Sequence, residues 1–203
     1  MFKKKEACIN NLTEYLGRVA AALLILLVLI MLYNVVSRYV FSASSLGLEE
    51  LSWHIYAAIF LLGLPFALKS GSHVRVDLIY EKLSIKTQAL IDLIGSIVFL
   101  LPTCIVIIWS GWEFTVASYS LGSQPDSFST FFQQLTSTGI GEKSQDPGGL
   151  LNRWIIKGVI PLSFFFLLLS ALAFFIQRLN VFLGISQKLA EKEDNQNKDK
   201  KRI

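Results

Sequence analysis

Residues 19–36 read VAAALLILLVLIMLYNVV, with Asn34 the one strongly polar side chain among them. At ~1.5 Å of rise per residue the run makes about 26 Å of helix, just short of the ~30 Å hydrocarbon core of a bilayer, so its flanking turns reach into the interface. Apolar on every face, it has no aqueous side to present and reads as a membrane span rather than a surface helix.

Outward from it, residues 37–50 (SRYVFSASSLGLEE) close the run with Arg38 and Tyr39 and open a second with Glu49 and Glu50. That second run, Leu51 to Leu68, contains Ser52 and His54; two more, Leu93 to Trp109 and Val159 to Ile176, carry nothing charged. With 53% hydrophobic and 17% charged residues in 203, the chain reads as an all-α integral membrane protein with four transmembrane helices at about 19–36, 51–68, 93–109 and 159–176. Orientation follows from the 19 Lys and Arg: only Arg38, Lys143, Arg153 and Lys157 fall outside the N-terminal segment, the second loop and the tail. The positive-inside rule therefore places both termini in the cytoplasm, and the excess of positive charge describes topology rather than nucleic-acid binding. Residues 1–186 then form one four-helix membrane domain with a long periplasmic segment at about 111–153. The tail, 187–203, mixes both charges without apolar periodicity and is expected to be disordered or a frayed extension of the last helix.

The first run is preceded by Lys3-Lys4-Lys5 and followed by Ser42-Ala43-Ser44, which loosely imitates a secretion signal. It is longer than the ~7–15 residues of a signal's apolar core, and Arg38 stands before the small residues, so a retained helix fits better. Asn11-Leu12-Thr13-Glu14 has the form of a capping box, which predicts a helix beginning at Asn11, before the lipid.

Enzyme chemistry finds little purchase. Cys8 and Cys104 are far apart and form no C-x-x-C pair. His54 and His73, 19 residues apart, would stand about 28 Å from each other on a continuous helix and cannot share a haem. Neither a Gly-x-Gly-x-x-Gly nor a nucleotide-binding lysine motif occurs. No catalytic residue, cofactor or metal site is therefore expected.

The informative groups crowd around the second span. Charges near hydrocarbon cost roughly 2.5 to 3.5 kcal/mol each at a span centre, so they have partners or a task. Arg38, Glu49 and Glu50 are expected near the outer face and His73, Arg75 and Asp77 near the inner one, anchoring the chain to a partner and to lipid headgroups. His54 follows Glu50 by one helical turn, which suggests a structural pair, with a proton relay as the alternative. Asp92 either begins a polar stripe with Ser96 and Thr103 or marks the headgroup boundary. Ser163, Ser170 and Gln177 recur every seven residues and predict a packing seam on the last span. In the outward segment Trp109, Trp112 and Trp154 sit where interfacial aromatics belong. Gln124-Pro125-Asp126-Ser127 predicts a helix start, and Phe128, Phe131, Phe132 and Leu135 an amphipathic helix lying on the membrane or on a partner.

In order and spacing, Asn34-Val35-Val36-Ser37-Arg38-Tyr39-Val40-Phe41, Glu49-Glu50-Leu51, Gly63 and Gly71-Ser72-His73-Val74-Arg75-Val76-Asp77 resemble the small membrane subunit of tripartite ATP-independent periplasmic (TRAP) transporters, the DctQ-like family. The resemblance covers Gly17 to Ile108 and, more loosely, the last span. Gly141-Glu142-Lys143-Ser144, Asp146-Pro147-Gly148-Gly149-Leu150 and Arg153-Trp154-Ile155-Ile156-Lys157 are similar to a subset of that family in which proline commonly stands where this chain has Leu151. The resemblance implies a scaffold subunit in a bacterial inner membrane. Its partners would be a large permease that carries an organic acid inward on an ion gradient and a periplasmic substrate-binding protein. The competing expectation is a self-sufficient four-helix channel or proton-coupled carrier using Glu50, His54 and Asp92; an assembly subunit of a redox complex is a third.

Overall fold

The structure, a computed structural model, describes residues 2–70, 83–122, 124–125 and 127–184. Its helices are α1 (Phe2–Val40), α2 (Leu46–Lys69), α3 (Ile85–Gly95), a π-helical turn (Ser96–Leu100), α4 (Leu101–Ser120), α5 (Phe128–Ser137) and α6 (Trp154–Phe182), and no strand occurs among the described residues. Four helical stretches are long and apolar enough to cross a bilayer: Asn11–Val40, Leu46–Lys69, Lys86–Ser120 and Trp154–Phe182. They run from 24 to 35 residues, more than the ~20 a span requires, so the rods carry polar turns beyond their apolar centres.

Two local expectations are corrected. Helix α1 does not begin at Asn11; it runs unbroken from Phe2. Residues 3–7 hold Lys, Glu and Ala, all good helix formers, and nothing in 2–10 breaks a helix, so Asn11 lies in its interior and Thr13 and Glu14 face neighbouring helices instead of capping. The polar stripe from Asp92 also fails to continue to Thr103. In the π-turn the Leu101 N–H bonds to the Ser96 carbonyl, and Pro102, which has no N–H to give, follows at once. The extra residue rotates everything beyond it by about 100°. Ser96 is buried, Thr103 is exposed, and Cys104 takes the interior position with no exposed surface.

The bundle is organised around α6, which packs against α2, α3, α4 and, more lightly, α1, while α1 and α2 also pack together. Its inward face carries Ser163, Leu167, Ser170, Ala171 and Ala173, all buried. Leu167 and Ala171 meet Leu68 and Cys104 in the central cluster, flanked by Leu64, Leu101 and Phe164. Small residues on the central helix let three others approach, which is what drives association where water supplies no hydrophobic force. Ser163 and Ser170 of the expected seam are inside it, whereas Gln177 is exposed.

Both ends of the bundle are pinned. At the terminal end Lys69 Nζ donates to Glu14 Oε1 (2.7 Å), Thr13 and Ser170 share a hydroxyl hydrogen bond (3.1 Å), and Arg178 Nε meets Asp92 Oδ2 (2.9 Å) with its guanidinium 5.0 Å above the Phe174 ring. The other end, where α1 passes into α2 and residues 127–153 lie, is the loop end.

Packing on α6 gives a direct test. Ala171→Leu forces extra volume into a site with no free surface and should cost about 1 to 3 kcal/mol. The thermal unfolding transition in detergent should fall, while Ala22→Leu, on an exposed face of α1, leaves it in place.

Candidate functional site: a clasp held by two carboxylates

At the loop end residues 138–153 form an irregular hairpin. Its arms are joined by Ser144 N–H to Leu150 O (2.9 Å) and Arg153 N–H to Glu142 O (3.0 Å), and its tip is closed by Gly149 N–H to Asp146 O (3.1 Å). Asn152 sits at φ 59°, a left-handed conformation that Asn tolerates better than most residues. From there its Oδ1 accepts from the Ile140 N–H (2.7 Å) and its Nδ2 donates to the Leu135 carbonyl (2.8 Å). One side chain thus joins the end of α5 to both arms of the hairpin, and Ile140 between them is wholly buried.

Two carboxylates tie this hairpin to the bundle. Glu50, in the opening turns of α2, accepts from Ser144 Oγ (2.5 Å) and from the Leu150 N–H (2.7 Å). Glu142 accepts from Ser118 Oγ on α4 (2.7 Å) and from Lys157 Nζ on α6, whose ammonium also stands 4.1 Å over the Phe114 ring. Lys157 and Ser118, in that order, hold the Glu142 carboxyl below its ordinary value by donating to the ionised form. The Glu142 N–H meanwhile bonds the Ser118 carbonyl (2.9 Å). The fit leaves no room for side chains at two glycines: a Cβ on Gly122 would lie 2.1 Å from the Gly141 oxygen, and one on Gly149 2.4 Å from Ser144 Cβ.

The residues singled out in the sequence divide between the two ends. Arg38, Glu49, Glu50 and His54 gather at the loop end, with Arg38 and Glu49 ion-paired at 3.6 Å and both about half exposed. His54 Nδ1 does reach Glu50, but at its backbone carbonyl (2.6 Å), because the clasp already holds the carboxylate. Asp92 stands at the terminal end with Arg178. His73, Arg75 and Asp77 lie outside the described residues, as do Asp126 and the tail. The expected short helix is found at Phe128–Ser137, opened by a capping box between Ser127 and Thr130, with Phe128 and Phe132 outward. Sequence reasoning did not find Glu142, Ser118 or Lys157 as partners. The available signal was the pair of glycines around Ile140, which marks a tight backbone just before Glu142.

These groups are arranged to hold. Each carboxylate is engaged by donors from a different element, and no group of three His, Cys, Asp or Glu among the described residues could take a metal ion.

Two outcomes follow for the clasp. Glu50→Ala strands the Leu150 N–H and the Ser144 hydroxyl, which should cost about 1 to 3 kcal/mol and open residues 144–150 to proteolysis without unfolding the helices. Because the folded-state Glu142 carboxyl titrates below the unfolded value of ~4.3, its contribution is complete above that pH and disappears as the pH falls through the folded value. Protection of the amides across 138–153, taken as the exchange rate relative to the intrinsic rate at each pH, should therefore weaken as the pH falls below the unfolded value of ~4.3. Glu142→Gln should lose that protection even at neutral pH, and protection that stays unchanged through acid in the wild type would contradict the assignment.

The family description for tripartite ATP-independent periplasmic transporters, DctQ component, matches residues 27–181, which takes in α2, α3, α4, α5, most of α6 and the last third of α1. No curated protein matches the chain. With four bilayer-length helices and a family match across most of its length, the chain belongs to the DctQ family, the small membrane component of tripartite ATP-independent periplasmic transporters.

Proposed function

We propose that this chain is the scaffold of a secondary-active, ion-gradient-driven TRAP transporter importing an organic acid that a periplasmic protein captures. It sits in a bacterial inner membrane with both termini in the cytoplasm, so the clasp faces the periplasm. One observation carries the reading. The bundle is pinned at both ends and its central cluster is packed on α6, yet α1 and α2 leave a groove of about 270 Å³ lined by Met31, Asn34, Val35, Arg38, Glu49 and Trp53. The Asn34 Oδ1 atom is shielded there without a hydrogen-bond partner. A buried acceptor in hydrocarbon costs free energy until a donor arrives. The large permease subunit is the occupant of that groove, laying a helix along α1 and α2 towards which the Asn34 amide can turn to gain a donor, with the Arg38–Glu49 pair fixing its register.

A self-sufficient carrier would need Glu50, His54 and Asp92 on one path. Glu50 is held by Ser144 and Leu150 at one end and Asp92 by Arg178 at the other, an arrangement that favours the scaffold.

When the chain is co-expressed with the large permease and purified on its own tag, Arg38→Ala and Asn34→Leu should each recover at least several-fold less permease, with the thermal transition of the bundle unchanged. Undiminished recovery by both variants would overturn the docking face. Uptake by liposomes holding this chain alone would favour the carrier instead.

A further inference from the structure

The opposite face of α2 carries a second cavity, of about 250 Å³, between α1, α2, α6 and the base of the clasp. Its body is apolar, walled by Leu23, Ala58, Leu151, Ile156 and Val159, and its lining also includes Arg153 and His54. Among the described residues the Arg153 guanidinium makes no hydrogen bond and no ion pair, in contrast to Arg18, Arg38 and Arg178, which are all paired. Glu50 and Glu142 feel its charge only at longer range, their oxygens being taken by Ser144, Leu150, Ser118 and Lys157. His54 gives Nδ1 to a carbonyl, so that nitrogen carries the hydrogen and Nε2 is left as the ring's contact with an occupant.

We infer that this cavity is a phospholipid site, taking one acyl chain among Leu23, Ala58, Ile156 and Val159 and the lipid phosphodiester on Arg153. An unpaired guanidinium at the edge of hydrocarbon calls for an anion, and a phosphate meets its planar fork with two parallel hydrogen bonds. A cationic group beside an apolar body matches an amphiphile with an anionic head, and basic pockets between membrane helices are recognised lipid sites. A protein helix would have to bring a carboxylate to the same point. The lipid brings both parts in one molecule and is present wherever the chain is. Bound there, it would brace Leu150–Arg153 from below, beside the bonds that Glu50 makes from α2. The inference stands on the spanning helices and on Arg153, and does not depend on the scaffold reading.

Native mass spectrometry of the full chain in detergent, titrated with short-chain phosphatidylglycerol, phosphatidylethanolamine, decanoate and inorganic phosphate, tests it. Phospholipid should bind at one site, at least tenfold more tightly than decanoate or phosphate. Arg153→Gln should weaken it at least tenfold, and so should Ala58→Phe, which fills the chain channel while leaving the cation in place. Each variant's thermal transition without lipid should match that of the parent. Equal binding of decanoate or inorganic phosphate would overturn the proposal, as would insensitivity to both substitutions. Efficient cross-linking of a photoreactive residue at Leu151 to a co-expressed permease would likewise overturn it, because protein would then fill the cavity.

Discussion

A carboxylate in the opening turns of a membrane helix needs donors before the helix can settle against hydrocarbon. Glu50 finds its donors 94 and 100 residues further along the chain. To bring Ser144 and Leu150 there, the chain between α4 and α6 must turn back over the bundle. The remaining features of the loop end serve that return. Glu142 fastens one arm to α4 and α6 together, Asn152 joins the arms to α5, and glycines stand where the backbones run too close for a Cβ. The loop connecting the last two spans is therefore a structural member, and it couples α2 to α4 and α6 at a level where their apolar surfaces have ended.

Below the clasp the bundle is held by a different force. Lipid is as apolar as leucine, so nothing squeezes these helices together; they associate because Ser163, Ala171 and Cys104 are small enough to let backbones approach. Burial is correspondingly uneven. A third of the most apolar stretch of α6 is buried, against 11% for α1 and for α2, which places α6 inside and leaves the other two largely uncovered. A helix pair with so little cover in its own chain has ample surface for lipid and for another subunit.

The four spans were legible because each is a long run of apolar residues, a signal that depends on neighbours in sequence alone. Asp92, Glu50 and Arg38 could be picked out for the same reason, since a charge beside such a run is conspicuous. Their partners could not. Arg178 reaches Asp92 from another helix, and Ser144 reaches Glu50 from the loop, through pairings that only the packed bundle creates. The π-turn explains the error along α3 and α4: a pattern read at 3.6 residues per turn carried the stripe from Ser96 to Thr103, while Pro102 shifts the register between them. The misplaced cap at Asn11 has a similar origin, because a capping sequence acts only where a helix would otherwise end, and the residues before it continue the helix.

The two faces of α2 differ in how their arginines are treated, and that difference separates the occupants proposed for them. Arg38 is neutralised by Glu49 and stands beside Asn34, so its groove presents a neutral, hydrogen-bonding surface suited to a helix whose polar groups are few and fixed. Arg153 keeps its charge, and its cavity presents a cation above hydrocarbon, suited to a headgroup with a tail. Exchanging the two occupants would leave a helix facing an uncompensated charge on one side and a phosphate facing a neutral pair on the other. Since both faces belong to one helix whose first turns are locked by Glu50, whatever is bound on either side meets a surface already fixed by the clasp.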